Sequence, residues 1–321
     1  MLPTGRRLGA HMPLGAGMVR AVERAHEIGA DAMQVFADNP TAWRRRMSPP
    51  RELPAFRRRV AELGIAPVAI HASYLINLAG PDPSFAEKSV GTLVEELRAG
   101  EAYGAAFVNV HIGSHRGTGV EAGTRRVAEA VSRVLAAVSV GPATPRLVLE
   151  NSAGGGFALG ATIEELAGVL EAIARLDVPA RRVGLCIDTA HLWGAGHEIS
   201  RPDEVDAVVA SVDRLIGLDR LSMIHLNDTR AALGSHLDRH QHVGAGEIGP
   251  DGMAAILRHP DLAHVAYFIE TPGMDEGYDA VNIARARDLA AGLPVGVLPP
   301  EALHLPGSRA RTRPEAEREA V

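Results

Sequence analysis

The chain has 321 residues, of which 46% are hydrophobic and only 4% are aromatic, and its mean hydropathy is +0.02. This length is enough for one large α/β barrel or two ordinary domains, with a core built mostly from aliphatic side chains. The formal net charge of −6 is unlike that of a typical nucleic-acid binder, although bound divalent cations would offset it locally. The charge therefore argues only weakly against a phosphate-containing substrate.

The sequence also constrains targeting and disulfide formation. The N-terminal residues lack the apolar core of a secretory signal, and no apolar stretch approaches the about 20 residues of a membrane-spanning helix. Cys186 is the only cysteine, which excludes an intrachain disulfide. We therefore expect a cytoplasmic protein that does not associate with membranes.

Apolar runs that predict strands alternate along the chain with segments that predict helices. The predicted strands are Leu8–His11, Ala32–Phe36, Pro67–His71, Ala106–His111, Arg146–Glu150, Val183–Asp188, Leu221–Leu226 and Val265–Glu270. The predicted helices are Met18–Ile28, Pro50–Leu63, Phe85–Tyr103, Val120–Val138, Thr162–Leu176, Pro202–Ile216, Pro250–Leu257 and Asn282–Leu289. Eight strand–helix units predict a (β/α)8 TIM barrel. An open, doubly wound sheet is the alternative, because the order of strands cannot be read from the sequence.

No break in composition divides the chain, so we expect a single domain. We assign residues 1–295 to a catalytic barrel and residues 296–321 to a C-terminal extension. The extension ends in a charged, proline-bearing segment from Gly307, which is typical of a disordered tail. The long segment from Asp228 to Gly249 follows the seventh predicted strand, a position where barrel enzymes place additional chemistry.

Six of the predicted strands end in a side chain that can bind a metal ion. These residues are His71, His111, Glu150, Asp188, His225 and Glu270. Parallel strands of a barrel bring their carboxyl ends to one face, so the six side chains are expected to converge. Acids and imidazoles that converge without Lys or Arg need divalent cations to offset their repulsion and desolvation. The pattern therefore predicts a metal-dependent active site.

Three further residues enlarge this ligand set. His191 follows Asp188 by three residues across a strand-to-helix turn, so the two need not reach the same ion. Asp238 and His240 are two residues apart, and in an extended segment both side chains project to one side and can chelate one ion. Four carboxylates and five imidazoles suit zinc and would also accept manganese or iron. The set is too large for one tetrahedral site, which implies two or three ions and a bridging carboxylate.

Other polar residues allow more than one interpretation. Cys186 is expected to be inert packing on the inward face of its strand. His11 ends the first predicted strand and is either a structural residue or a support for the ligands. The Arg44–Arg46 cluster lies beside Asn39 in a predicted loop, where it is either a solvated cluster or a set of phosphate contacts.

Short motifs around these residues resemble those of one family. They are GAH from Gly9, HASYLINLA from His71, NVHIGSH from Asn109, LENSAG from Leu149, GLCIDTAH from Gly184, IHLND from Ile224, DRHQHVGAGEIG from Asp238 and IET from Ile269. The stretch from about Gly9 to Leu289 resembles endonuclease IV. This family comprises the zinc-dependent apurinic/apyrimidinic endonucleases (deoxyribonuclease IV) of the xylose-isomerase-like TIM-barrel superfamily. Each of the nine ligand positions of the family pattern is filled by the expected residue type.

The resemblance implies three bound Zn²⁺ ions, with Mn²⁺ as an option at one site. The implied ligand sets are His71, His111 and Glu150 for the first ion, Glu150, Asp188, His225 and Glu270 for the second, and His191, Asp238 and His240 for the third. Glu150 would be the catalytic bridging carboxylate, and a metal-bound hydroxide would be the nucleophile. The implied reaction is hydrolysis of the phosphodiester 5′ to an abasic site in double-stranded DNA, which leaves a 3′-hydroxyl and a 5′-deoxyribose phosphate.

The resemblance also implies DNA contacts. Tyr74 and Leu75 match side chains that enter the duplex where the abasic nucleotide is flipped out, at less cost than an intact nucleotide because no base pair is broken. Asn39, Arg44 and Arg239 are the other predicted DNA contacts.

The chain departs from the family pattern at a few positions. Thr41 stands where the family commonly has an Arg that wedges into DNA, so this wedge is in doubt, and Arg44 or Arg45 could replace it. Ile112 stands where Pro is common, and Ala245 where an acid is common. None of these residues is a ligand, so the departures bear on DNA affinity more than on chemistry.

The sequence alone allows two other functions. A sugar isomerase or epimerase of the same superfamily resembles the chain only at Glu150, Asp188, His225 and Glu270, and the five additional ligands favour phosphodiester hydrolysis. A damaged-DNA binder without turnover would be favoured by a missing ligand, and none is missing. We expect a monomer whose partner is double-stranded DNA containing abasic sites.

Overall fold

The carboxyl ends of eight parallel strands meet at one face of a closed barrel. The structure, a computed structural model, describes residues 2–3, 5–46, 48–274 and 276–305. The barrel strands are β1 (Leu8–His11), β2 (Ala32–Val35), β3 (Val68–His71), β4 (Phe107–His111), β5 (Arg146–Glu150), β6 (Val183–Asp188), β7 (Leu221–His225) and β10 (Ala266–Ile269). β1 pairs with both β2 and β10, which closes the sheet. The predicted TIM barrel is confirmed, and the open, doubly wound sheet was the wrong alternative.

The helices follow the strands in the alternating order that the sequence predicts. They are α1 (Met18–Glu27), α2 (Leu53–Glu62), α3 (Pro83–Tyr103), α4 (Val120–Ala136), α5 (Ile163–Ala174), α6 (Thr189–Ala195), α7 (Pro202–Leu215), α8 (Gly249–Arg258) and α9 (Tyr278–Ala291). Helix α6 was not predicted, because its 7 residues are too few to show a helical period. Among the described residues, no helix combines the length and the apolar character that a membrane span requires.

Two short strands depart from the repeating pattern. β8 (Asp228–Thr229) and β9 (His240–Gln241) pair in an antiparallel hairpin inside the long segment after β7. The sequence predicted a loop here, since two-residue strands carry no alternation that could identify them. The hairpin brings the residues around position 240 back to the mouth of the barrel.

Capping residues define both ends of helix α3, which contacts two loops at the mouth of the barrel. The Asp82 carboxylate accepts the backbone N–H groups of Ser84 and Phe85, at 2.8 and 3.2 Å, and so caps the first turn. Gly104 ends the helix in the left-handed conformation, with φ 72°, which glycine adopts without steric cost. The helix therefore begins and ends at defined residues.

The interior of the barrel is a packed cluster separate from the layer between strands and helices. It consists of Ala32, Ala69, Val148, Cys186, Met223, Ala266 and Phe268. Strand alternation places Cys186 on the same face as Asp188, and Phe268 on the same face as Glu270. The predicted inward faces of β6 and β10 are therefore confirmed. This packed cluster lies in the barrel directly below the polar groups at the mouth.

Part of the C-terminal extension packs against the barrel. Ala302, in a short 3-10 helix (Pro300–His304), is buried, and its carbonyl accepts a hydrogen bond from His242 Nε2 at 2.9 Å. The charged tail predicted from Gly307 lies outside the described residues. The division of the chain at residue 295 stays a prediction.

Closure of the barrel between β1 and β2 depends on the absence of a side chain at Gly9. A Cβ at this position would lie 2.5 Å from the Ala32 carbonyl oxygen, which is backbone and cannot move aside cheaply. We expect Gly9→Ala to lower the free energy of unfolding by about 1–3 kcal/mol through overpacking. Gly91→Ala is the matched control, because Gly91 is exposed in α3 with open space around its Cβ direction. The control should gain about 0.5–1 kcal/mol.

Urea denaturation of the two variants and the parent protein measures these differences. Equal stability of the Gly9→Ala variant and the parent would contradict the close approach of β1 to β2.

Candidate metal centre

The strand register determines which predicted ligands become neighbours. His111 on β4 pairs with Glu150 on β5, and Asp188 on β6 pairs with His225 on β7. His71 ends β3, and Glu270 directly follows β10. The other neighbouring candidate ligands are offset by two residues, since His71 pairs with Asn109, Glu150 with Cys186 and His225 with Phe268. An offset of two residues keeps a side chain on the same face of its strand, so all six side chains share the inward face at the carboxyl ends of the strands.

The first group of potential ligands contains His71, His111 and Glu150. The Oε2 atom of Glu150 lies 3.6 Å from His71 Nε2 and 3.3 Å from His111 Nε2. The candidate ligand atoms of the three residues all lie within 4.8 Å of one another. His71 and Glu150 are buried, whereas the His111 side chain is 38% exposed. His111 is therefore the member of this group that reaches solvent.

The second group shares Glu150 and adds Asp188, His225 and Glu270. His225 Nδ1 lies 3.0 Å from Glu150 Oε1, 3.3 Å from Glu270 Oε2 and 3.9 Å from Asp188 Oδ2. These four residues also form a group whose ligand atoms lie within 4.8 Å of one another. Glu150 therefore presents Oε2 to the first group and Oε1 to the second, as a bridging carboxylate would.

The third group lies on the other side of Asp188. His191 Nε2 is 3.3 Å from Asp238 Oδ2, and His240 Nε2 is 3.0 Å from Asp238 Oδ1. Asp188 also approaches this group, with Oδ2 3.6 Å from His240 Nε2. Asp188, His191 and His240 have ligand atoms within 4.8 Å of one another. The structure thus brings Asp238 and His240 to His191, and places Asp188 between the second and third groups.

Asp188 and His191 are positioned by the helix that sequence reasoning missed. Asp188 is the N-cap of α6, and its Oδ1 accepts the backbone N–H of His191 at 2.9 Å. The cap fixes the first turn of the helix, so the side chain of His191 projects towards the mouth. The Oδ2 atom of Asp188 is left to face the other ligands.

Asp228 anchors the segment that carries Asp238 and His240. Its buried carboxylate accepts backbone N–H groups from Thr229, Gly246, Ile248 and Gly249 at 2.8 to 3.2 Å. These bonds tie the start of the long segment to its end. The two ends of the segment are therefore held together, and the β8–β9 hairpin within it has a defined position.

Two imidazoles each use one ring nitrogen for support and present the other to the centre. His71 Nδ1 donates to the carbonyl of Ala72 at 2.8 Å, and His191 Nδ1 donates to the carbonyl of Asn151 at 3.0 Å. A carbonyl only accepts, so Nδ1 carries a proton in both rings and Nε2 is the atom that faces the carboxylates. Metal-binding histidines in proteins are oriented in this way.

His225 and His240 are also oriented through one ring nitrogen, by Gln34 and by a backbone carbonyl respectively. Gln34 Nε2 donates to Glu270 Oε1 at 2.6 Å, and Gln34 Oε1 accepts from His225 Nε2 at 3.1 Å. The ring of His225 is thereby held with Nδ1 towards the acids. His240 Nδ1 donates to the carbonyl of Glu270 at 3.0 Å. One side chain of β2, a strand without a predicted ligand, therefore orients two ligands.

Sequence reasoning also missed a set of supporting asparagines. Asn109 donates to Glu150 Oε2 at 2.6 Å, and Asn227 donates to Asp188 Oδ2 at 2.7 Å. The signal was present, since each amide lies one strand period from a ligand within a quoted motif. Asn109 precedes His111 by two residues and Asn227 follows His225 by two. Gln34 lies in no quoted motif, so the sequence offered no comparable signal.

Burial and mutual attraction shift the protonation of these groups. Burial alone would raise the pKa of Glu150, but His111 and His225 outweigh it and hold that pKa well below its ordinary value. Burial opposes protonation of His240, yet Asp238 and its neighbours raise the pKa of the imidazole to about 10. In the metal-free protein, protons on imidazoles therefore supply the positive charge that the carboxylates require.

The residues present fit divalent metal ions. His240 Nε2 is buried and makes no hydrogen bond with any described residue, although a carboxylate oxygen of Asp238 is 3.0 Å away. Within the described residues, the cationic partners of the four carboxylates are histidines rather than Lys or Arg. Nitrogen and oxygen donors without a thiolate suit zinc. Cys186 adjoins Glu150 and His225, but burial raises the pKa of its thiol to about 12, in keeping with the predicted packing role.

His11 lies beside this centre without joining a ligand group. Its Nδ1 is 3.2 Å from Gln34 Nε2 and 3.5 Å from Glu270 Oε1. Burial lowers the pKa of this imidazole. A neutral His11 that contacts Gln34 and Glu270 supports the ligands from the side of β1.

The predicted DNA-contacting residues lie on loops at the mouth. The Tyr74 side chain is 58% exposed, and its ring centroid is 5.5 Å from that of His71. Leu75 is half-buried, and Asn39, with its Oδ1 accepting the backbone N–H of Thr41, is exposed.

The arginines of these loops differ in how freely they reach solvent. Arg44 is exposed, and the half-buried Arg239 donates to the carbonyl of Asp238. The Arg45 side chain is only 11% exposed and pairs with Glu96 at 2.7 Å. Of the two candidates to replace a wedge at Thr41, only Arg44 projects freely.

A closed parallel barrel whose carboxyl face gathers acids and imidazoles defines a (β/α)8-barrel protein with a metal-capable centre. The model of the xylose isomerase-like TIM barrel family matches residues 22–294. A probable endonuclease 4 of Chloroflexus aggregans is 42% identical over 284 residues, which cover 88% of this chain and 97% of that protein. The chain therefore belongs to the endonuclease IV family of xylose isomerase-like TIM barrels.

Solved structures agree with this assignment. The crystal structure of endonuclease IV from Thermus thermophilus superimposes with a TM-score of 0.76 and 35% identity, over 89% of this chain and 99% of that one. The crystal structure of a D-tagatose 3-epimerase-like protein gives a TM-score of 0.65 at 14% identity, over 89% of this chain and 98% of that one. The second likeness shows the fold alone. The resemblance to endonuclease IV, and with it the expectation of a DNA-cleaving hydrolase, is confirmed.

Removal of metal should make stability depend on pH above neutrality. The folded-state pKa of His240 is raised to about 10, so its protonation stabilises the metal-free protein fully below the unfolded-state value of about 6.5 and ceases to do so as the pH rises through about 10. Bound ions would replace these protons. We therefore expect the difference in Tm between metal-loaded and metal-free protein to widen from pH 6.5 to pH 9.

Thermal unfolding with and without a chelator at the two pH values measures this difference. A gap that narrows towards pH 9 would show that the imidazoles of the centre do not carry the compensating charge.

Proposed function

We propose that the protein hydrolyses the phosphodiester 5′ to an abasic site in double-stranded DNA, leaving a 3′-hydroxyl and a 5′-deoxyribose phosphate. The observation that carries this proposal is the presence of three adjoining groups of ligands that share Glu150 and Asp188. A single-ion site would need only one of them. The close likeness to proteins named endonuclease 4 supports the same reaction.

We assign three Zn²⁺ ions to these groups, with Mn²⁺ as the alternative occupant of one site. His71, His111 and Glu150 would hold the first, and Glu150, Asp188, His225 and Glu270 the second. His191, Asp238 and His240 would hold the third. When bound, such ions lower the pKa of coordinated water and neutralise charge on a phosphate in an in-line displacement.

The protein's own residues then have separate tasks. Glu150 presents one oxygen to each of two ligand groups, so it fixes the spacing between them. The amides of Asn109 and Asn227 hold the orientation of Glu150 and Asp188 by hydrogen bonds. The partly exposed His111 and Asp238 form the side of the centre that a phosphate can approach. No side-chain general base is required in this arrangement.

The loops around the mouth would bind the duplex. Tyr74 and Leu75 adjoin His71 in the chain, so a nucleotide displaced by their side chains would lie next to the first ligand group. Asn39, Arg44 and Arg239 are the proposed contacts to the DNA backbone. We further propose that the protein acts as a monomer in the cytoplasm. Its formal charge of −6 would be offset at the mouth by the bound ions.

Glu150→Gln should reduce nicking of a duplex with one tetrahydrofuran abasic analogue by more than about 100-fold. The reason is that loss of a residue that merely supports a ligand already costs about 10- to 100-fold, and Glu150 serves two groups. Glu171→Gln is the matched control, because Glu171 is 70% exposed and its ion pair, within the part of the chain that the structure describes, is with Arg175. Single-turnover nicking rates of both variants measure the effect.

Two outcomes would contradict the proposal. An unchanged rate for Glu150→Gln would exclude its bridging role. Epimerisation of free sugars by the parent protein, without nicking, would select the sugar isomerase or epimerase.

His240→Ala should remove one metal ion and leave the other two. His240 lies in the third group, and its Nε2 is 3.6 Å from the shared Asp188. Metal analysis of purified protein should give close to three equivalents for the parent and two for the variant. His242→Ala is the control, because His242 is buried two residues away but bonds to Asn282 and Ala302 instead of the centre. Equal metal content in parent and His240→Ala protein would refute a separate third site.

A further inference from the structure

Helix α3 carries a buried acid that takes no part in the metal centre. Glu96 is 3% exposed, and the metal-capable groups do not include it. Burial raises the pKa of its carboxyl to about 7, and the adjacent Arg45 only partly offsets this effect. An ionised group in this position costs stability, and a well-packed apolar residue would often be as stable. The fold of the barrel alone therefore does not explain why an acid stands here.

The partner of Glu96 belongs to the loop after β2. Arg45 Nη2 lies 2.7 Å from Glu96 Oε1, and the two side chains are only 11% and 4% exposed. The same guanidinium donates through Nη1 to the carbonyl of Asn39 at 3.2 Å. Arg45 thus connects α3 to the part of the loop that carries Asn39 and Arg44.

The carboxylate of Glu96 also reaches the loop after β3. The backbone N–H of Ser73, the residue before Tyr74, is close enough to this carboxyl to lower its pKa, although burial outweighs the effect. The two loops contact each other at the same place. Ser73 Oγ donates to the carbonyl of Pro40 at 2.7 Å, and the Tyr74 N–H donates to that carbonyl at 3.1 Å. A single carboxylate therefore lies under the junction of two loops.

Other residues of α3 contact these loops singly. Phe85 packs against Trp43 of the loop after β2, with ring centroids 5.0 Å apart. Ser89 Oγ accepts the N–H of Asn77, in the loop after β3, at 3.1 Å. Successive helical turns place Phe85, Ser89 and Glu96 on one face of the helix. Of the three, Glu96 is the one that touches both loops.

We propose that Glu96 is a positioning residue that holds the loops after β2 and β3 in one fixed arrangement for entry of DNA, acting through Arg45 and the backbone of Ser73. The inference rests on the proposed function, because it concerns how the same site takes up its duplex. Tyr74 and Leu75 of one loop and Asn39 and Arg44 of the other engage the duplex together. Since the loops are ordered before binding, less free energy is lost in ordering them when DNA arrives.

The arrangement also assigns different roles to two adjacent arginines. Arg45 contacts Glu96 of α3 and the carbonyl of Asn39 in its own loop. Arg44 is exposed and projects from the same loop. Arg44 is therefore the side chain that the Arg45–Glu96 pair presents to the duplex.

Glu96→Gln tests the proposal, with Glu95→Gln as the matched control. The control removes the neighbouring charge, but Glu95 is 49% exposed and its ion pair among the described residues is with Arg98 on the surface. For the tetrahydrofuran duplex, we expect Glu96→Gln to raise Kd and KM by about 10-fold. The single-turnover rate at saturating DNA and the bound metal should stay within about 2-fold of the parent. Glu95→Gln should match the parent in each measurement.

Arg45→Lys is a second variant that avoids an unpaired buried carboxylate. Lysine keeps the charge but lacks the planar fork that contacts Glu96 and Asn39 together. We expect a smaller increase in Kd, with the rate at saturation and the metal content unchanged. If Glu96→Gln fails to fold, this variant decides the question by the same measurements.

Three results would overturn the inference. The first is an unchanged Kd in the folded Glu96→Gln and Arg45→Lys proteins. The second is a loss that falls on the rate at saturation or on metal content, which would place Glu96 in the support of the centre instead. The third is a parent protein that holds metal but nicks no abasic duplex, in which case the proposed function fails and this inference with it. Nicking by the parent with unchanged variants separates failure of the inference from failure of the function.

Discussion

Repulsion among acids that the barrel forces together is the constraint on which the rest of the site depends. Glu150, Asp188 and Glu270 converge because they lie on the inward face at the carboxyl ends of parallel strands. Glu150 and Asp188 are buried and Glu270 is largely buried, so water screens their charges only weakly. Positive charge must be present at their centre, whether as protons on imidazoles or as metal ions. The raised pKa of His240 reflects this need, because the neighbouring acids stabilise the protonated imidazole. The metal-binding capacity of the mouth is thus a consequence of the fold's geometry.

Charge alone would not give a defined centre, and the surrounding hydrogen bonds supply the direction. His71, His191 and His240 each donate one N–H to a backbone carbonyl, which leaves the other nitrogen facing the acids. Gln34 does the same for His225 while it binds Glu270. The ligands are therefore oriented before any ion binds, which lowers the cost of assembling the site. The adjoining loop after β2 is also held by a buried contact, since its Arg45 pairs with Glu96 of α3.

Much of this could be predicted from the sequence, because it depends on local periodicity. Apolar runs that alternate with helical segments predicted the barrel, and period-two alternation placed Cys186 and Phe268 inside it. Acids and imidazoles at the ends of those runs predicted the convergence of His71, Glu150 and Glu270, since parallel strands share an end. The bounds of most elements differ from the predicted ones, and helix α6 was not predicted. The reason is that the ends of a helix depend on capping residues and packing more than on hydrophobic periodicity.

What the sequence determined by itself is the set of residues that could be ligands and the strands that deliver them. Tertiary structure alone decided that Gln34 lies between His225 and Glu270, 191 and 236 residues away along the chain. It also decided that Arg45 faces Glu96 rather than solvent, and that Asp228 closes the segment carrying Asp238. These contacts join elements far apart in sequence, and their geometry is set by closure of the barrel and by packing of helices on it. A local pattern carries no information about such distances, because register and loop path are fixed only when the whole chain is folded.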